Sequence, residues 1–343
     1  MSKPPSLLRL GVVGLGQWGP NHVRCLRLVN RCQVARVCDR SVPRLAAARR
    51  LFPGIETTRD PRRVTQAADI DAVVVATPVE THFRLVRQAL EAGKDVLCEK
   101  PLALTSAEAR TLCRLAARRR RVLMVGHVFL YNPSALHLKR TIGRGALGRI
   151  YYMDAVRTNL GPVRSDVGVV HDLASHDISI FNFLLGGRPQ SVSASGAAFL
   201  RRGIEDIGFL SLAYPRGVVC HVHTSWLNPR KVRQLTIVGD RRMAVWDDMN
   251  HLEPVRYYDR GVVADSYTSF GEFHMILRDG AITTPKLRLY EPLLRQDQEF
   301  VACLRSRRAP AASARFGLDV VRVLEAARDS LAHGGRATRI RYP

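Results

Sequence analysis

Three short stretches of the chain hold side chains that could do chemistry together. In HDLASHDIS (171–179), Asp172 and His176 stand four residues apart. On a helix that spacing puts both on one face. A carboxylate beside an imidazole can take a proton from a hydroxyl, since the acid orients a ring that titrates near neutrality. His171 and Ser175 repeat the spacing one residue earlier, but no His-x-x-x-His occurs there, so zinc is disfavoured. In DVLCEKP (95–101), Glu99-Lys100-Pro101 ends an apolar run. A lysine at such a strand end faces a ligand crevice in open α/β sheets, or else joins a surface ion pair. In LGVVGLGQWG (10–19), an apolar run breaks into Gly14, Gly16 and Gly19, with Gln17 and Trp18 between the last two.

The glycines have a specific use when a strand precedes them and a helix follows. Gly14 permits a tight turn, Gly16 lets backbone approach a pyrophosphate, and Gly19 lets helix and strand pack closely. Free N–H groups at the helix start then hold the diphosphate. Asp39 lies twenty residues after Gly19, closing the next apolar run. There it would accept from the ribose hydroxyls and repel a 2′-phosphate, which favours NAD. Arg40 beside it keeps NADP as the alternative. Thr77 and Pro78 close the third apolar run, under the nicotinamide half. His82, at the start of the following helix, either lies nearby or serves as a cap or surface residue. Glu99 and Lys100 complete the expected cofactor contacts.

The elements that must position these groups follow from hydrophobic periodicity. Apolar runs at 8–14, 33–39, 71–78, 95–101 and 122–128 alternate with helical patterns such as 80–92 and 106–121, the latter capped by Ser106. Alternating strand and helix with continuous Val/Ile/Leu runs predicts a parallel sheet covered on both faces. Beyond about residue 130 the pattern changes. Segments 190–199, 206–214, 217–226 and 233–239 alternate with period two, which predicts a mostly antiparallel sheet. A helix near 173–185 ends at Gly186-Gly187, and helices near 291–306 and 315–332 close the chain. The fold class is α/β: a dinucleotide-binding domain over residues 1–128 and an α+β substrate domain over 129–343. Asn132, Arg157 and Asn159 are further candidates for substrate contacts, or for loop hydrogen bonds.

Bulk properties narrow the function classes. The 343 residues carry 53 Lys and Arg against 30 acids, a net charge of +23. Most of the cations are arginines spread over both domains, the pattern of a compositional bias rather than of a nucleic-acid stripe. The Arg118–Arg121 run ends a helix, where the dipole favours cations. Seven cysteines show no metal or disulfide spacing and read as reduced thiols. No apolar stretch is long enough for a membrane span or signal peptide, so the expected setting is cytoplasmic, without membrane or nucleic-acid partners. His221 and His223 share a strand face and read as sheet-surface histidines, since no third metal ligand accompanies them.

Taken together, GLGQWGPN (14–21), ATPVETHF (76–83), CEKPLA (98–103), GHVFLYNP (126–133), VHDLASHDIS (170–179) and EPLLRQDQEFVACLRSRR (291–308) resemble the Gfo/Idh/MocA oxidoreductases over nearly the whole chain. The resemblance implies a Rossmann domain followed by an α/β domain whose open, mostly antiparallel sheet mediates dimers or tetramers. The family's catalytic lysine in its E-K-P motif matches Lys100, and its Asp-x-x-x-His pair matches Asp172 and His176. Two positions depart from the pattern: a loop tyrosine is Gln17 here, and the tryptophan before the aspartate is His171. The branch most similar oxidises the 3-hydroxyl of nucleotide sugars such as UDP-N-acetylglucosamine, with antibiotic-pathway relatives acting on deoxysugars or aminoglycosides. The resemblance thus implies NAD-dependent oxidation of a sugar to a 3-keto sugar. The alternatives are an NADPH-dependent ketosugar reductase, an aminoglycoside dehydrogenase, or a dinucleotide-sensing regulator.

Overall fold

The computed structural model describes residues 7–264 and 275–342. The described helices, in chain order, are α1 (Gly19–Leu26), α2 (Val42–Leu51), α3 (Arg62–Thr65), α4 (His82–Glu91), α5 (Ser106–Arg119), α6 (Pro133–Gly143), α7 (Ser175–Leu185), α8 (Pro292–Ser306) and α9 (Ala314–Ala332). The chain divides into two compact units, Met1–Asn132 with Tyr290–Arg322, and Pro133–Leu289 with Val323–Pro343. The division expected at 128/129 is contiguous, whereas this grouping is not. Residues 290–322 return to the first unit because α8 packs on α1, and its Asp297 carboxylate bonds His22 in the interior.

The first unit is built on strands β1 (Leu8–Val13), β2 (Cys32–Cys38), β3 (Glu56–Thr58), β4 (Ala72–Val75), β5 (Asp95–Glu99) and β6 (Leu123–Gly126). They form one parallel sheet in the order β3-β2-β1-β4-β5-β6. Every residue of β4 is fully buried, as expected of a parallel strand covered on both faces. The sheet order reverses between β1 and β4, so their carboxyl ends flank the switch point where such folds bind ligands, with the end of β5 next along the same edge. Strand β3 went unforeseen because Glu-Thr-Thr at a sheet edge carries no apolar pattern. The cap of α5 is Thr105 rather than Ser106: its Oγ1 accepts from the Glu108 N–H at 3.2 Å.

The second unit holds β7 (Ile150–Leu160), β8 (Ser191–Ala197), β9 (Ile207–Ala213), β10 (Val219–Ser225), β11 (Leu227–Gly239), β12 (Met243–Asp247), β13 (Val255–Ala264), β14 (Met275–Thr283) and β15 (Thr338–Arg339). They form one sheet in the order β14-β13-β12-β11-β7-β10-β9-β8-β15. Among the described pairings only β7 and β10 run parallel, so the sheet is mostly antiparallel, as the alternation predicts. Helices α6, α7 and the last turns of α9 lie against one face, tied to it by Thr141–Tyr257, Arg157–Asp177 and Ser330–Ala194 hydrogen bonds. On β10, Cys220, Val222 and Thr224 are buried while Val219 and His221 are exposed. His221 faces Asp154 at 3.1 Å, and Phe209 stacks on His223 with centroids 4.6 Å apart. Both histidines are therefore sheet-face residues, as expected.

Candidate functional site

The glycine loop joins β1 to α1. Gly14 has φ +97°, and a Cβ there would stand 2.5 Å from the Ala76 carbonyl oxygen. Any side chain would meet both backbone strain and a collision. A Cβ on Gly19 would strike the Gly14 carbonyl, so its absence closes the turn. Gly16 has nothing within 4 Å of the place a Cβ would take, and that open space is what an approaching diphosphate requires. Gln17 and Trp18 are exposed, and Asn21 donates to the Gln17 carbonyl at 2.9 Å, pinning the loop to the first turn of α1.

Asp39 reaches back to this loop. Its carboxylate accepts from the Leu15 N–H at 2.7 Å and from the Ser41 N–H at 2.8 Å, with Arg44 at 3.6 Å. The lone pairs left over are those a ribose diol can use. Arg40 beside it is exposed. The open loop, the helix start and this acid fit an adenine dinucleotide. Replacing Asp39 with Ser should lower NAD affinity by about ten- to a hundredfold, since hydrogen bonds to a charged acceptor contribute ~1.5–3 kcal/mol, while NADP affinity falls less. Steady-state KM for both cofactors checks this; an unchanged KM ratio would reject the assignment.

Farther along the same sheet edge, Thr77 accepts from Thr81 Oγ1 at 2.7 Å, and Pro78 is exposed. His82 is neither cap nor surface residue. It is buried, with Nδ1 2.8 Å from the Pro101 carbonyl and Nε2 2.9 Å from the Thr77 carbonyl, so it clips the end of β4 to the Glu99-Lys100-Pro101 turn. Burial lowers its pKa despite those two acceptors. Glu99 is also buried. One oxygen lies 3.0 Å from His22 Nε2 and the other accepts from the Lys100 N–H at 3.2 Å. Gly126, its neighbour on β6, makes this room, since a Cβ there would come within 2.8 Å of the carboxylate. Lys100 is half-buried.

His127 was not singled out in the sequence, although it lies within the last of the alternating apolar runs and directly follows β6. It is buried edge-on to Phe316, and neither ring nitrogen has a partner among the described residues. Burial and then the Lys100 charge push its pKa down to about 3, which makes it a neutral ring beside the lysine. Asn132 is half-buried at the end of the same segment.

In the second unit, the Asp172–His176 pair sits where a wide π-type turn, Val170–Ala174, feeds α7. Such turns recur at functional sites because they re-aim side chains. A continuous α-helix from 173 was expected; the wider turn replaces its start. The Asp172 N–H donates to the Gly168 carbonyl at 3.0 Å, and Ser175 and Ser179 hydroxyls donate to the Asp172 and His176 carbonyls at 2.9 and 2.6 Å. Asp172, His176 and His171 are all half-buried. Arg164, which no pattern singles out, lies 3.3 Å from Asp172 and is held bidentate by Asp166 at 2.9 and 2.6 Å.

Two expected substrate residues have other work. Arg157 is buried, and its guanidinium donates twice to Asp177 at 2.8 Å each, joining β7 to α7. Alternation along β7 turns it inward, toward the helix layer. Asn159 donates to the Gly161 carbonyl, shaping the loop after β7. Among the described residues no group of three metal-ligating side chains converges, and no helix is long and apolar enough to cross a membrane.

Comparisons with known proteins agree with this architecture. Residues 8–127 match the model of the oxidoreductase family with an NAD-binding Rossmann fold, and 135–245 match the GFO/IDH/MocA C-terminal domain. Inositol 2-dehydrogenase 2 of Saccharopolyspora erythraea is 35% identical over 63% of this chain and 66% of its own length. UDP-N-acetylglucosamine 3-dehydrogenase of Acidithiobacillus ferrooxidans is 29% identical over 74% of this chain and 78% of its own. The structure of GenD2 from gentamicin A biosynthesis, in complex with NAD, superposes with TM-score 0.83 at 25% identity, covering 99% of this chain and 98% of that one. The chain spans about two thirds or less of the inositol 2-dehydrogenases it matches. With both domains matched and the glycine loop, E-K-P turn and Asp-x-x-x-His pair in place, the chain belongs to the Gfo/Idh/MocA oxidoreductase family.

Proposed function

We propose that this protein is an NAD-dependent dehydrogenase that oxidises a secondary hydroxyl, at C3, of a nucleotide-linked or antibiotic-pathway sugar. The observation that carries the reading is the joint presence of a dinucleotide-competent glycine loop, a half-buried lysine at the carboxyl end of β5, and the Asp172–His176 pair where the π-turn runs into α7. His176 takes the hydroxyl proton. Asp172 orients His176 or shares the proton, and Lys100 stabilises the developing alkoxide by charge and hydrogen bonding. A dinucleotide held by the glycine loop and Asp39 would supply the hydride acceptor that turns the carbinol into a ketone. Relatives named for UDP-N-acetylglucosamine and for gentamicin biosynthesis support the sugar class. The inositol dehydrogenase relatives support a second reading, oxidation of a free cyclic polyol.

A panel of UDP-sugars, dTDP-deoxysugars, aminoglycosides and myo-inositol, read by the absorbance of reduced nicotinamide, tests both. Turnover of a UDP-sugar far above myo-inositol is the expected result; turnover of myo-inositol alone would replace the first reading by the second. The open sheet face bearing Tyr152, Phe209 and Val219 supports a homodimer or homotetramer through a second copy. Light scattering after size exclusion checks that assembly, and a monomer at working concentration would reject it.

A further inference from the structure

Two of the motifs that mark this chain, GPNH in α1 and RQDQEF in α8, have no part in the chemistry above, yet both send a charged side chain to one buried point. His22 is completely buried. Its Nδ1 lies 2.9 Å from Asp297 Oδ1, and its Nε2 lies 3.0 Å from Glu99 Oε1. The other Glu99 oxygen accepts from the Lys100 N–H. A ring between two carboxylates needs both N–H groups to donate, and only imidazolium has two. Burial alone would discharge the ring, but Asp297 and then Glu99 outweigh it and hold the His22 pKa up at about 10. Two buried carboxylates without that cation would be costly, and one of them would take up a proton.

We propose that His22 is a positioning residue: bridging Asp297 and Glu99, it fixes the Glu99 carboxylate against the Lys100 N–H and so holds the ammonium of Lys100 in place for reaction. This rests on the role of Lys100 proposed above. The chain is linear and covers three elements. Asp297 anchors His22 from α8, His22 anchors Glu99 from α1, and Glu99 anchors the turn that ends β5. Gly126 leaves the space in which Glu99 lies flat. The other titratable or charged groups facing this cluster include Cys25 and Arg24 on α1, Glu291 before α8, Cys32 on β2, His82 on α4 and Cys98 on β5, and the neutral His127 senses the Lys100 charge.

The test uses Asp297→Asn, which keeps side-chain size, and His22→Gln as the harsher change. Loss of Asp297 removes the main support of the His22 charge. The ring then titrates within the assay range, and Glu99 loses its constant partner. Asp297→Asn should therefore lower kcat about tenfold or more and add an inflection to its pH profile between about pH 5 and 8. The Kd for NAD, measured by titration without substrate, should stay within about threefold. A purely structural role would instead lower kcat in proportion to the folded fraction, with an unchanged profile shape, and that outcome overturns the proposal. So does a folded Asp297→Asn protein with wild-type kcat. A readout free of any substrate separates this from the functional reading: reductive ¹³C-methylation followed by NMR titration, with Lys100 assigned by Lys100→Arg. A shifted Lys100 midpoint in Asp297→Asn supports the positioning role even if no sugar is turned over. Identical midpoints reject it.

Discussion

Lys100→Ala and His176→Ala are each expected to lower kcat by roughly 10²–10⁴, the range for a positioned acid, base or charge at the reacting oxygen. NAD affinity should change only a few-fold, because the proposed diphosphate and ribose contacts lie in the glycine loop and at Asp39. The distinction matters because Lys100 stands near the expected cofactor crevice. A mere cofactor contact would raise KM for NAD and leave saturated turnover alone. Single-turnover rates at saturating NAD, with NAD Kd measured separately, decide it. Near-wild-type turnover in either variant would remove that residue from the mechanism. Lys100→Arg is the instructive companion. It keeps the charge, but its planar fork cannot present a compact ammonium at one oxygen, so kcat should recover only in part.

The largest effect on stability is expected at Arg157. Its guanidinium and the Asp177 carboxylate are both buried and bonded through two 2.8 Å contacts. Arg157→Met leaves Asp177 buried without its counter-charge, and breaking such a pair from one side costs about 3–5 kcal/mol. Replacing both, Arg157→Met with Asp177→Leu, should restore most of that loss, because two apolar side chains of similar bulk remove the unpaired charge. Denaturant unfolding of the single and double variants checks this. A single variant within about 1 kcal/mol of wild type would show that the second unit does not depend on the pair. Loss of activity in Arg157→Met without loss of stability would return Arg157 to the substrate residues.

The titration of His22 sets a further expectation. Its folded-state pKa, about 10, lies above the ordinary 6.5. The stability it contributes is therefore complete below about pH 6.5 and is lost as pH rises through about 10. Thermal midpoints should decline across that interval, and Asp297→Asn should flatten the decline. An equal decline in both proteins would assign the effect to other groups.

Much of the candidate site was legible because its signals are local. Glycines 14, 16 and 19, Asp39, Lys100 and the four-residue step from Asp172 to His176 are matters of backbone freedom and short spacing, which tertiary structure cannot easily reverse. The alternation of apolar runs likewise predicted a parallel sheet followed by a mostly antiparallel one. Other features were not local. Arg157 and Asn159 read equally as substrate contacts or as structural hydrogen-bonding residues, and which polar partner lies opposite depends on the packing of α7 and the loop after β7. His82 read either as a residue near the nicotinamide half or as a cap or surface residue, and its burial under the turn at Pro101 is decided by residues 19 positions away.

Residue order by itself thus determined the fold class, the glycine loop and the candidates for the reactive side chains, since each follows from properties of a few consecutive residues. Only the tertiary structure decided which charges neutralise one another. His22 stands 77 residues from Glu99 and 275 from Asp297. No local pattern links them, and they meet because α8 returns to the first unit and packs on α1. Burial then requires each charge to find its partner, because an unpaired one could not be left there at tolerable cost.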